Sequence, residues 1–314
     1  MKILVTGACG YVGTLLTQAL IKNNHHVIAV DTQWFGNKLE DNPRLKLFKL
    51  DIREVDSIPL EGVETIIHLA NIANDPSVDL NPTLSWEVNV LASQQLTEKA
   101  IDQGVKQIIY ASSGSVYGVK EEEKVTEELS LLPISVYNKT KMVSERIFLS
   151  YKDDVTIHCI RPATVCGFSP RMRLDLSVNM LTMQALKNKK ITVFGGNQTR
   201  PNIHIKDMVR VYEHFLYKND IPSGIYNAGF ENISILEIAE LISEKIPSEI
   251  IITESNDPRS YRLSSDKLLG TGFEQSCSVE EAIEEMIEKY SSGEIKDLPE
   301  GYTVNWMKSL NLHL

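Results

Sequence analysis

Three side chains suited to proton chemistry stand close together near the middle of the chain. Ser113 lies in YASSGSVYG (residues 110–118), and Tyr137 and Lys141 lie in SVYNKTK (residues 135–141). Tyr137 and Lys141 are one helical turn apart, so both project from the same side of a helix. An ammonium beside a phenol stabilises the phenolate and is expected to draw its pKa down toward the working range. Such a phenol can take the proton of an alcohol while a hydride leaves the same carbon. A Tyr and a Lys at this spacing are also a common exposed helix pair, so the surrounding elements must decide. No carboxylate follows Ser113; Gly114 and Ser115 stand there instead.

Six short apolar runs could hold such a site: KILVT (2–6), HHVIAV (25–30), LKLFKL (45–50), ETIIHLA (64–70), KQIIYAS (106–112) and VTIHCI (155–160). Their nearly continuous hydrophobicity suits a parallel sheet covered on both faces. Helical periodicity at 11–23, 83–102 and 136–152 makes the first half βαβαβ, and therefore an α/β, Rossmann-like doubly wound fold. After IRPATVCG (160–167) the pattern loosens into a smaller mixed α/β region, with helices expected at 176–188, 206–217, 234–245 and 279–290 and a strand at 191–194. The expected division is 1–163 plus about 204–230 for a dinucleotide, and 164–203 plus 231–314 for a substrate. Past residue 292 no element is legible, although Tyr302 and Trp306 suggest a tail that docks.

GACGYVG (7–13) follows the first strand and opens the first helix, which spaces Gly7, Gly10 and Gly13 as a phosphate-binding turn. Glycines there close the turn and let backbone approach a pyrophosphate, while the helix N-terminus offers N–H groups and positive dipole. Asp31 ends the second strand, where a carboxylate accepts adenosine ribose hydroxyls and repels a 2′-phosphate. NAD is therefore expected over NADP. Asp51, after the third strand, can meet the adenine edge by the same geometry.

Composition narrows the partners. The chain has 314 residues, 42% of them hydrophobic, and a formal charge of −10. That charge argues against broad nucleic-acid or membrane-surface binding, which draws on clustered Lys and Arg. No apolar run reaches the roughly 20 residues of a membrane span, and the N-terminus reads as a strand and a turn, so a soluble cytoplasmic protein is expected. Cys9, Cys159, Cys166 and Cys277 lack the spacing of a metal site or a disulfide framework. No metal is expected.

Taken in order, GACGYVG, LDI (50–52), HLAN (68–71), NPTLSWEVNV (81–90), SSGSVYG (112–118), YNKTK (137–141), RPATVCG (161–167), GNQTR (196–200) with IHIKD (203–207), and YNAG (226–229) resemble the extended short-chain dehydrogenase/reductases. The likeness is to the nucleotide-sugar epimerases and dehydratases of that family and spans most of the chain. It implies Ser113 hydrogen-bonding the reacting oxygen, Tyr137 as acid and base, and Lys141 holding the nicotinamide ribose while tuning Tyr137. It also implies NAD contacts from Tyr11, Val12, Ile52, Leu69, Ala70, Asn71, Asn89 and Pro162. For a nucleoside-diphosphate sugar it points to Ser115, Thr164, Asn179 and Met180, to Val193 and Phe194 near the base, and to Arg200 at the pyrophosphate. Arg259 or Arg262 is implied as a second phosphate contact, while Arg171 and Arg173 read equally well as solvated charges. A homodimer through 83–102 and 136–152 is implied as well.

The dehydratases of this family usually place acids after the catalytic hydroxyl, to expel a hydroxyl as water. Gly114 and Ser115 cannot do this, so reversible oxidation at a carbinol carbon is expected. The net reaction is then epimerisation, foremost at C4, or reduction of a keto-sugar with NADH. A dehydratase and a non-catalytic nucleotide sensor are the remaining alternatives. Thr164, Cys166 and Pro201–Asn202 depart from the family's usual residues, and Cys166 is expected to line the pocket.

Overall fold

The six apolar runs of the first half all become parallel strands: β1 (Lys2–Thr6), β2 (His26–Asp31), β3 (Leu45–Lys49), β4 (Thr65–His68), β5 (Gln107–Ala111) and β6 (Thr156–Pro162). The computed structural model describes residues 1–254 and 260–312. Six further strands follow: β7 (Thr164–Cys166), β8 (Lys190–Phe194), β9 (Thr199–His204), β10 (Gly224–Ala228), β11 (Glu231–Ser234) and β12 (Glu249–Thr253).

β10 joins the first six in a seven-stranded sheet ordered β10-β6-β5-β4-β1-β2-β3. The order reverses between β4 and β1, and ligands of such sheets bind outside the carboxyl ends of the strands at that point. Side-chain alternation splits the core in two. Ile3, Val5, Val27, Ala29, Ile67 and Ile109 pack on one face, where the helices Tyr11–Lys22 and Ile205–Tyr217 meet. Leu4, Ile28, Val30, Ile66 and Ile108 pack on the other, under Ala92–Asp102 and Val136–Ser150. Burial on both faces is why these strands read as unbroken apolar runs.

The helix expected over 83–102 is broken into Pro82–Trp86, a π-helical turn at Glu87–Leu91, and Ala92–Asp102. Asn89 sits in that wider turn, and its carbonyl accepts from the hydroxyls of Ser93 and Ser144 at 2.8 and 2.7 Å. These side-chain donors compete with the regular ladder and favour the bulge.

The remaining strands make two small sheets, β11-β9-β7 and β12-β8, around a third core holding Val178, Leu181, Ile191, Val193, Ile238 and Ile283. The short segments TRPNIH and ENIS (β9 and β11) carry little apolar alternation, so they pair through tertiary context rather than pattern. The tail forms the helix Thr303–Ser309, which docks beside the loop after β2. Among the described residues no helix is long and apolar enough to cross a membrane.

Candidate active site

At the carboxyl ends of β1 and β4 opens a cavity of about 640 Å³ that runs from Asp31 past Tyr137 to Phe194 and Arg200. The glycine turn forms one wall. Gly7 has φ +72°, and a Cβ there would lie 2.7 Å from the Ala70 nitrogen; one on Gly13 would lie 2.1 Å from the Gly7 oxygen. Gly10 caps the following helix in extended backbone with no side-chain cap, so the first-turn N–H groups are left for a ligand. Tyr11 and Val12 line the cavity there, and the Tyr11 hydroxyl donates to the Gly167 carbonyl at 2.6 Å.

Asp31 lies beyond this turn and accepts from the Cys9 and Gln33 N–H groups at 2.9 and 2.6 Å. Burial raises its pKa, while the two backbone donors and the charge of Arg171 oppose the rise. Asp51 is held by Arg53 at 2.9 Å, and Ile52, Leu69, Ala70, Asn71 and Pro162 line the same space. The Asn71 Oδ1 atom is buried with no partner. A side-chain-free turn, an acid that pairs hydroxyls and an unpaired acceptor between them fit a dinucleotide, so these residues would hold NAD.

Ser113, Ser115 and Tyr137 face the cavity. Ser113 Oγ lies 2.8 Å from Ser115 Oγ and also accepts from the Ser115 N–H at 3.2 Å. The packing around Tyr137 runs against the expected lowering of its pKa. Burial pushes the phenol up to about 12; a Ser113 hydrogen bond opposes this, Asp75 adds to it and Arg173 counters it. Lys141 is 1% exposed, stays off the cavity wall and donates to the Ala111 carbonyl at 2.6 Å. Burial draws its ammonium down to about 7, against the pull of Glu145. Its Nζ lies 5.9 Å from the Tyr137 ring centroid, at the back of the ring.

Several other expectations shift. Asn89 is buried away from the cavity and clasps both backbone groups of Ile72, at 2.7 and 3.2 Å, so it anchors the loop after β4. Asn179 is likewise consumed, accepting from Gly167 N–H and donating to Tyr11 Oη and the Arg173 carbonyl. Val193 turns into the third core, while Thr192 and Phe194 face the cavity, as strand alternation requires. Cys166 is also core rather than lining, its thiol pushed up by burial. Arg262 is exposed and off the cavity, its carbonyl paired with Val125; Arg259 lies outside the described residues. Thr164, Met180 and Arg200 do line the cavity.

The structure adds residues that spacing did not reveal. Arg171 is 6% exposed, stacks 4.2 Å over the Phe35 ring and faces the Asp31 end; burial lowers it to about 10. Arg173 pairs with Asp175 at 3.0 and 3.1 Å, and Asp175 in turn accepts from the Thr303 N–H. Both arginines are thus cavity residues rather than solvated charges. Asp75 reaches the cavity beside Tyr137. The sequence signal for Asp75 was its place seven residues beyond His68 at the end of β4, in a loop that must cross the switch point.

The sheet order and the cavity at its reversal define a dinucleotide-binding α/β enzyme. A family model described as the NAD dependent epimerase/dehydratase family matches residues 3–229, and the chain belongs to that family, with NAD as its cofactor. It is 34% identical over 261 residues to an uncharacterized UDP-glucose epimerase, YtcB, of Bacillus subtilis (strain 168), covering 78% of this chain and 82% of that protein. Identity to a putative UDP-glucose 4-epimerase of Methanocaldococcus jannaschii is 29% over 322 residues, covering 98% and 99%. The fold superposes with TM-score 0.83 and 26% identity on MoeE5 in complex with UDP-glucuronic acid and NAD, covering 93% of this chain and 100% of that one. A UDP-glucuronic acid 4-epimerase from Bacillus cereus, also with UDP-glucuronic acid and NAD, gives TM-score 0.81 and 27% identity over 93% and 99%.

Proposed function

We propose that this enzyme epimerises a nucleoside-diphosphate sugar, most directly a UDP-sugar, at C4 through a transient 4-keto sugar. The observation that carries the reading is the meeting of Tyr137 and Ser113 in the dinucleotide cavity, with Gly114 where an acid would be needed for dehydration. A Cβ on Gly114 would lie 3.1 Å from the Pro162 oxygen, so the backbone leaves little room for an acid there. NAD, when bound, accepts a hydride from the sugar and returns it. Tyr137 Oη takes the C4 hydroxyl proton and later gives it back to the same oxygen. Ser113 donates to that oxygen as charge develops, and Lys141 supports the phenol from behind. Met180, Thr192, Phe194 and Arg200 line the far end and would grip the nucleotide. The names of the relatives support uridine as the base.

In this reading residues 1–163 plus about 204–230 carry the dinucleotide and 164–203 plus 231–314 carry the sugar nucleotide. The enzyme would work as a cytoplasmic homodimer. Leu91 is 51% exposed on the segment 82–102, and an apolar side chain there supports pairing of that segment with 136–150 across a dimer.

The test mixes the NAD-loaded protein with UDP-glucose or UDP-galactose and follows the other epimer together with absorbance of reduced nicotinamide. Accumulation of the epimer with at most a substoichiometric absorbance transient is the expected result. Stoichiometric NADH loss with a 4-keto sugar and no epimer formed would instead identify a reductase.

A further inference from the structure

Asp75 stands at one end of a chain of hydrogen bonds that ends in the catalytic hydroxyls. Its Oδ1 accepts from the Ser135 hydroxyl and from Asn138 Nδ2, the latter at 3.3 Å. The same Asn138 nitrogen donates to Ser115 Oγ at 2.9 Å, and Ser115 Oγ lies 2.8 Å from Ser113 Oγ. Asn138 Oδ1 is buried with no partner, an arrangement that costs free energy and persists only because something prevents the amide from turning over. Asp75 prevents it, because the turned amide would set its oxygen against the carboxylate.

The direction of the amide decides the direction of the hydroxyls. With Nδ2 donating to Ser115, the Ser115 O–H is free to donate to Ser113. Ser113 Oγ then accepts from both Ser115 O–H and Ser115 N–H, which turns its own O–H outward to the phenolate or the sugar oxygen. A turned amide would consume the Ser115 O–H and draw the Ser113 O–H back toward Ser115. We propose that Asp75 is a positioning residue: through Asn138 it orients Ser115 and Ser113 toward Tyr137 for the proton transfer.

The inference rests on the epimerase reading for its catalytic consequence, but its primary test does not. Among the described residues, the charged and titratable groups around Tyr137 are Asp75, Arg173, Tyr261, Lys141, Tyr110 and Tyr212. As a bare charge, Asp75 would raise the phenol's pKa, so its neutralisation would lower it. As a positioning group it keeps the Ser113 donor on the phenolate, so its neutralisation raises that pKa.

The experiment titrates NAD-loaded protein carrying tyrosine labelled with ¹³C at Cζ, with Tyr137 assigned by the signal lost in Tyr137→Phe. Asn138→Ala should raise the Tyr137 pKa by about one unit, the scale of one hydrogen bond to a charged group, and Asp75→Asn should raise it by less, because that variant also removes the carboxylate's charge. With UDP-glucose, kcat should fall about tenfold at unchanged KM, and the double variant should be no worse than either single one. Asn138→Ala keeps the carboxylate and its Ser135 partner, so it carries the test if Asp75→Asn fails to fold. A phenol pKa that falls or stays put in Asn138→Ala overturns the proposal, as does a loss confined to KM. If UDP-glucose and UDP-galactose are not turned over, the functional reading fails while the phenol titration still decides the role of Asp75.

Discussion

The indole Nε1 of Trp306 donates to the backbone carbonyl of Trp34 at 2.6 Å, tying the last helix to the loop that follows Asp31. The same helix places Thr303 and Met307 on the cavity wall, so the tail closes the Asp31 end of the site, where adenosine would lie. Trp306→Ala should weaken NAD binding several-fold and leave affinity for the free nucleoside diphosphate unchanged. Isothermal titration with each ligand checks this; equal losses for both would mean general loosening.

Asp31 should make the protein prefer NAD to NADP, because a 2′-phosphate would face a carboxylate held rigid by two backbone donors. Asp31→Ala should weaken NAD and bring the two affinities together, since the Arg171 cation then remains at that end without the Asp31 carboxylate. Equal affinities in the unmodified protein would contradict the assignment.

Removing the phenol oxygen should cost chemistry and spare binding. Tyr137→Phe should lower kcat by about a hundredfold or more, the scale of general acid–base catalysis, with NAD affinity retained. Lys141→Ala should lower kcat as well, because its ammonium lies 5.9 Å from the Tyr137 ring centroid; a loss of NAD affinity alongside would mean that the ammonium also reaches the ribose. Steady-state epimerisation and NAD titration of the two variants separate these roles.

His68 supplies a pH dependence of stability. It is buried between Thr6 Oγ1 at 2.7 Å and Ser93 Oγ at 2.9 Å, and the Ser93 hydroxyl already donates to the Asn89 carbonyl, which leaves Nε2 as the donor to Ser93. Burial, helped by the Lys141 charge, lowers its pKa from 6.5 to about 3. Below 6.5 the unfolded chain gains a proton that the folded one refuses. Stability is therefore fully present above that pH and lost as pH falls toward 3, by about 1.4 kcal/mol per unit from this group. His68→Gln should flatten that limb in urea midpoints measured against pH.

The sequence alone determined what depends on neighbours along the chain. The turn at Gly7, Gly10 and Gly13 joins a strand to a helix locally, Asp31 ends the next strand, and Tyr137 and Lys141 share a helix face by spacing; the parallel sheet followed from unbroken apolar runs. The tertiary structure decided what depends on chain crossings and on parity. Val193 and its neighbours Thr192 and Phe194 divide between core and cavity according to how β8 sits on its sheet, which one residue of register reverses. Arg171 reaches Asp31 from 140 positions away, and Asp75 reaches Asn138 from 63, through loops whose paths are set by the elements they join. The environment of the phenol belongs to the same class, because desolvation is a property of everything packed around a group, and here it outweighs the Ser113 hydrogen bond and the Arg173 charge.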